Sequence, residues 1–339
     1  MNSNNIILKD VAKRAGVSIS TASRVLNNEK FVSPEVRKRV NNAANELKYE
    51  PMWTARSLRL RKTNIIAVII PNIADYFYSS IVLGIERFFR QNKKDVILFN
   101  TSNDEKSEER SIRVAISKRV EGIILATIFK NKGIINSIIE NTDIPFVLVD
   151  NKLEIKNIDY VLADDIKGSY KLVEHLIKVH GFKRIGILNA SLIESSDRSK
   201  LIGYKKALTK NNIDIDENYI KIINYPKKGS AYIAAEELLN MEYKPEAIYC
   251  INLNILIGCL KYLNDKNLKV PDDVAIISFD DSYFLSAINP SITSLKRIDV
   301  VMGNKAAEIL LERINNKNSN YKKIILPSTL IVRKSCGCT

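Results

Sequence analysis

Seven apolar runs rich in β-branched residues recur between residues 65 and 279, and this recurrence narrows the fold more than any other feature of the chain. They are IIAVIIP (65–71), DVILFN (95–100), EGIILA (121–126), PFVLVD (145–150), RIGILN (184–189), EAIYCI (246–251) and DVAIISF (273–279). Between them, the stretches 79–91, 105–118, 166–179 and 229–240 carry apolar residues at helical spacing. A strand that is apolar along its whole length is covered on both faces, and strands alternating with helices pair in parallel. Seven such units are many for one sheet, and a weak repeat restarting near 158–165 divides them into two similar lobes. The late segments PSITSLKRIDVVMGNKAAEILLERI (290–314) and KKIILPSTLIVRKS (322–335) read as a returning helix and closing strands that tie the lobes together.

The first fifty residues have a different pattern. Leu8, Val11, Ala12 and Ala15 fall at helical spacing, and Gly16 is placed to end that helix. Ser18 is placed to cap a second helix that buries Ala22, Val25 and Leu26. Ser33-Pro34-Glu35 opens a third, which buries Val36, Val40, Ala43 or Ala44, and Leu47. Three short helices with a tight turn between the first two describe a helix-turn-helix unit. The second helix turns Ser20, Thr21, Ser23, Arg24 and Asn27 outward, where surface helices usually carry Glu and Lys. Such a face suits the major groove of DNA, which needs short donors and acceptors at base edges and no carboxylates beside phosphates. Ile19, Ser20 and Arg24 are the expected base contacts, with Thr21 and Ser23 nearer the backbone. Charge agrees: the net charge is +14, of which +8 falls within residues 1–63.

LKDVAKRAGVSISTASRVLN (8–27), FVSPEVRKRV (31–40) and ANELKYEP (44–51) closely resemble the headpiece of the lactose-repressor (LacI/GalR) family of bacterial transcription regulators. The resemblance continues through the chain. It implies a headpiece at 1–50, a hinge at 51–63 and an effector-binding and dimerisation domain at 64–339 with a two-lobed, periplasmic-binding-protein-like α/β fold. Lobe one is expected at about 64–160 plus 293–325, and lobe two at about 161–292 plus 326–339. By itself, PMWTARSLRLRKT (51–63) is a basic linker or a marginal helix. In the family a matching segment becomes a minor-groove hinge helix on DNA. On that match Leu58 wedges a central base step, Ala55 packs in the groove, and Arg56, Arg59 and Arg61 lie near phosphates. Met52 and Trp53 depart from the family pattern.

The resemblance also implies an effector cleft at the strand ends. Tyr76 and Phe77 match an aromatic loop that stacks on the effector, and Asp164 falls close to a family Asp-Asn pair. Lys200 stands where the family has an arginine, with Arg198 two residues earlier. Asn252 matches the first member of an Asn-Asp pair whose second member is here Leu253. Asp280 matches a ligand-binding aspartate, and Arg297 stands where glutamine is frequent. Exchanging arginine for lysine, losing a carboxylate and gaining Arg297 imply a more basic cleft, open to an anionic effector such as a sugar phosphate as well as to an ordinary sugar.

The expected function is a homodimeric, cytoplasmic repressor that binds a near-palindromic operator in double-stranded DNA under the control of a small effector. Two alternatives are the same regulator controlled by a phosphorylated carrier protein, and an exported sugar receptor. The receptor needs a secretory signal, and the start of the chain does not read as one. No phosphate-binding loop, GxGxxG or nucleophile elbow is present, so an enzyme is not expected and no cofactor is implied. No window is apolar enough to span a membrane. His175 and His180 lie in no metal motif, and SCGC (335–338) has no further ligands near it in the sequence, so no metal is expected.

Overall fold

The computed structural model describes residues 6–26, 31–49, 63–128, 132–153, 155–192, 194–223, 229–296 and 298–339. The calls on Asn27, Ala55, Arg56, Leu58, Arg59, Arg61 and Arg297 lie outside these. The chain divides into two compact units, 1–63 and 64–339.

The first unit holds α1 (Leu8–Ala15), α2 (Ile19–Leu26) and α3 (Pro34–Glu46). Each boundary has a local cause. The Asp10 carboxylate accepts the Ile7 N–H at 2.9 Å, satisfying a donor that the first turn leaves without a helical partner. Gly16 ends α1 in the left-handed region at φ 65°, where a side chain would be strained. Ser18 Oγ accepts the Thr21 N–H at 3.1 Å, and Ser33 Oγ accepts that of Val36 at 3.4 Å with Pro34 in the first turn of α3. Val11, Ala12, Ala15, Ala22, Val25, Val40, Ala43 and Ala44 form the core. Five alanines there let the three helices pack closely.

The second unit contains β1 (Ile65–Ile70), α4 (Tyr76–Gln91), β2 (Asp95–Asn100), α5 (Glu105–Ser117), β3 (Gly122–Leu125), α6 (Lys132–Glu140), β4 (Phe146–Val149) and β5 (Asp159–Ala163). It continues through α7 (Asp165–His180), β6 (Ile185–Ala190), α8 (Ser195–Lys210), β7 (Ile220–Ile223), α9 (Ser230–Leu239), β8 (Ala247–Cys250), α10 (Leu253–Asp265) and β9 (Ala275–Ser278). It closes with β10 (Thr293–Lys296), α11 (Asp299–Asn315), β11 (Lys323–Leu326) and β12 (Thr329–Ile331). The strands form two six-stranded sheets, ordered β11-β5-β4-β3-β1-β2 and β12-β10-β9-β8-β6-β7. Every pairing is parallel except that of β12 with β10. Apolar residues of β1, β3 and β4 are buried on both faces, as continuous apolar runs require.

The chain crosses between the sheets three times, around 164, between β10 and α11, and around 327–328. One expected boundary is corrected. Residues 293–296 form β10, which lies between β9 and β12 in the second sheet rather than in lobe one. Thr293 and Ser294 make this strand look like a loop, but their polar groups are met inside the sheet. Thr293 N donates to Ser335 Oγ at 2.8 Å, and Ser294 Oγ donates to Asp281 Oδ1 at 2.7 Å. Among the described residues, no helix is long and apolar enough to cross a membrane.

Helix α11 returns from the second sheet to cover the first, against α4. Two glycines set the approach of the pair: a Cβ at Gly303 would stand 2.1 Å from Ile81 O, and one at Gly84 would stand 2.2 Å from Val300 O. Both neighbours are backbone, so relief requires the helices to separate. Gly303→Ala is expected to lower the unfolding free energy by about 1–3 kcal/mol in urea titrations. An unchanged midpoint would show that the helices are not held this closely.

Candidate nucleic-acid interface and effector cleft

In the first unit, Ile19 is 49% exposed, Ser20 and Arg24 are also exposed, and Thr21 and Ser23 are half-buried. Ser18 Oγ lies 2.8 Å from both Ser20 Oγ and Thr21 Oγ1, which orders the hydroxyls at the start of the helix. No carboxylate stands on α2. The salt bridge Arg14–Glu46, 2.7 Å long, ties α1 to the end of α3.

In the second unit, the C-terminal strand ends of both sheets face a common cavity of about 1050 Å³, the position where open parallel sheets place ligands. Asp75, Phe77 and Tyr78 reach it beyond β1, and Asp150 immediately after β4. Glu194, Asp197 and Lys200 reach it beyond β6, Asn252 and Asn254 beyond β8, and Asp280 beyond β9.

Helix starts position several of these groups. Asp75 caps α4, its Oδ1 accepting the Phe77 N–H at 2.9 Å, and Asn252 caps α10, its Oδ1 accepting from Ile255 N at 2.9 Å. Across the cleft, Asn254 Nδ2 donates to Asp75 Oδ2 at 3.3 Å. A second bridge runs through Asn151. Its Nδ2 donates to Glu194 Oε2 at 3.1 Å, while its Oδ1 accepts from Ser195 Oγ and Ser196 N, both at 3.2 Å. Tyr78 Oη donates to Asp150 Oδ2 at 3.0 Å.

Burial, then repulsion from Asp197 and Asp150, pushes the Glu194 carboxyl up to about 8. Burial also raises Asp197, to about 6, with the Lys200 ammonium opposing it. Lys200 is 4% exposed, its Nζ standing 3.6 Å from Asp197 Oδ1 and 4.8 Å from the centre of the Phe279 ring.

Of the effector residues expected from sequence, Phe77, Lys200, Asn252 and Asp280 line the cavity. Three others do not. Tyr76 stands in the first turn of α4 and is 45% exposed. Asp164 caps α7 by accepting from Lys167 N at 3.2 Å. Arg198 Nη1 donates to Leu192 O at 2.7 Å, holding the loop before α8. Asp150, Glu194 and Asp197 were missed as site residues. Asp150 could have been found, since it ends the apolar run 145–150 at a strand's C-terminus. Among the described residues the lining carries seven carboxylates and two lysines, more acidic than the sequence suggested; Arg297, on which the expected basicity partly rested, lies outside them.

Residues 7–52 match the family of bacterial regulatory proteins, lacI family, and residues 173–336 match a periplasmic binding protein-like domain. The chain is 31% identical over 328 residues to the HTH-type transcriptional repressor PurR of Vibrio atlanticus (strain LGP32), covering 97% of each chain. It belongs to the lacI family of bacterial regulatory proteins. Among solved structures it is similar to the lac repressor dimer bound to operator and the anti-inducer ONPF, with a TM-score of 0.86 at 25% identity over 98% of this chain and 99% of that one. It is also similar to a complex of the transcriptional regulator CelR with cellobiose, with a TM-score of 0.74 at 26% identity over 97% and 99% of the two chains. This lacI-family member is therefore a DNA-binding regulator of transcription and not an enzyme.

The buried acids of the regulator give its stability a definite dependence on pH. Glu194 titrates near 8 in the folded chain against its ordinary 4.5, so folding favours its protonated form. Its contribution is complete below about 4.5 and is lost as the pH rises through about 8. Melting temperatures measured from pH 6 to 9 should fall by a few degrees more in the wild type than in Glu194→Gln. Parallel curves for the two proteins would remove Glu194 as a source of the dependence.

Proposed function

We propose that the chain is a homodimeric, cytoplasmic repressor whose grip on a near-palindromic operator is set by a neutral, polyhydroxylated sugar bound between the lobes. The observation that carries the effector class is the acid-rich lining of the cleft. Each carboxylate orients two hydroxyl donors, whereas a phosphate there faces Asp150, Glu194, Asp197 and Asp280 with the Lys200 charge already engaged by Asp197. The CelR–cellobiose complex, in which a regulator of similar fold holds a neutral disaccharide, supports this class. The operator-bound lac repressor dimer supports the assembly.

On the DNA side, α2 enters the major groove with Ile19, Ser20 and Arg24 at base edges and Thr21, Ser23 and Asn27 nearer phosphates. Leu58, Ala55, Arg56 and Arg59 serve the hinge. Two headpieces related by the dimer axis read two half-sites. Genomic fragments selected by the purified protein at moderate salt should share a near-palindrome with a flexible central step. Arg24→Ala should weaken binding to it by about 1–3 kcal/mol and relax one base position in each half-site. Fragments with no common motif would overturn the operator reading. For the effector, calorimetry with matched neutral and phosphorylated sugars decides. Neutral sugars should bind at least about tenfold tighter, roughly 1.4 kcal/mol, and the reverse order would overturn the sugar class.

A further inference from the structure

Both histidines of the chain and two of its four cysteines converge at one point in the second lobe, outside the cleft. His175 and His180 stand in the last turns of α7, with ring centroids 5.4 Å apart at 78°. Cys336 and Cys338 lie on the tail that follows β12. Cys336 Sγ is 3.5 Å from His175 Nε2, and Cys338 Sγ is 3.7 Å from His175 Nε2 and 3.4 Å from His180 Nε2. All four donor atoms fall within 4.8 Å of one another.

We propose that His175, His180, Cys336 and Cys338 bind one zinc ion in a tetrahedral N2S2 site. An ion at ~2.3 Å from sulfur and ~2.0–2.1 Å from nitrogen, with tetrahedral angles, sets each S···N pair about 3.6 Å apart. The three observed separations, 3.4 to 3.7 Å, bracket that value. Two thiolates with two imidazoles on a four-cornered frame select zinc over magnesium or calcium, which take oxygen ligands.

The surroundings fit a built site. Gly337, between the two cysteines, has φ 102°, a conformation that lets the tail double back so that both sulfurs face α7. Phe182 stacks on His180 at 5.4 Å and 21°, fixing the ring plane. Thr293 Oγ1 lies 3.1 Å from Cys336 Sγ, an outer partner of the kind that steadies metal thiolates. Cys336 is fully buried, while Cys338 and both histidines are half-buried, which leaves a path for the ion. Binding takes two neutral imidazoles and two thiols and releases the two thiol protons to solvent.

The site is legible only after folding, because 155 residues separate His180 from Cys336 in the sequence and the cysteine pair alone has no partner ligands nearby. Its place in the fold gives it a role. Helix α7 follows the first crossover between the sheets and β12 follows the third, so the ion staples together the elements that leave two of the three crossovers.

The test is the metal content of the full-length wild type, Cys338→Ser and His180→Asn, each purified without chelator and dialysed against zinc-free buffer. One zinc per chain is expected in the wild type and none in either variant, with circular dichroism showing that both remain folded. Cobalt added to the metal-free wild type should give the visible bands of a tetrahedral thiolate site. Removing the metal should lower the melting temperature by about 5 °C or more. A folded wild type that retains no zinc overturns the proposal, as does a Cys336–Cys338 disulfide in that protein, zinc retained undiminished in both variants, or a different metal retained in its place.

Discussion

Asn151 leaves the first sheet just after β4, and its side-chain amide meets three groups at the start of α8 in the second lobe. Both ends of the amide are used, so the contact fixes orientation as well as distance. Asp75 and Asn254 make a second link across the cleft. Around these bridges the fold gathers Asp150, Glu194 and Asp197, with Lys200 as the buried cation. Like charges brought together out of water are unfavourable unless they are protonated or hydrogen-bonded. Here the raised Glu194 and Asp197 carboxyls and the Tyr78–Asp150 bond both relieve the repulsion. A ligand rich in hydroxyl donors relieves it further, and so favours the arrangement of lobes in which the acids stand close.

That preference is what a regulator needs. Three crossovers join the two sheets, around 164, between β10 and α11, and around 327–328, and these are the places where the lobes can hinge. A ligand shifts an equilibrium between lobe arrangements only by the difference in its affinity for them. In the cleft that difference comes from groups supplied by both lobes: Asp75 and Asp150 from the first, Glu194, Asp197 and Asp280 from the second. The coupling is reciprocal, so operator binding must alter effector affinity by the same factor.

Most of the scaffold was legible in the sequence. All seven apolar runs are strands, and the four amphipathic stretches are helices, because burial on both faces and on one face leave different periodicities. The strands that escaped are those whose sequence is not uniformly apolar. β5 begins with Asp159, which is buried against the Arg313 guanidinium at 2.9 Å, and β7 is a four-residue edge strand bearing Lys221. β10 carries Thr293 and Ser294 inside the sheet. The headpiece helices were readable because their caps and apolar spacing are local. The charge of the cleft was not, since Asp150 and Glu194 come from different lobes and only the fold brings Glu194 to Asn151, the chain neighbour of Asp150. The His175, His180, Cys336 and Cys338 cluster was hidden for the same reason.

The coupling of cleft to DNA is tested most directly by titrating a labelled operator fragment with the full chain, with and without a saturating neutral sugar shown by calorimetry to bind. Wild type and Asp280→Asn are measured side by side. A change of about tenfold or more in operator affinity is expected for the wild type, with no change for the variant, whose affinity without sugar matches the wild type. A wild type that binds the sugar and holds the operator with unaltered affinity would contradict the account.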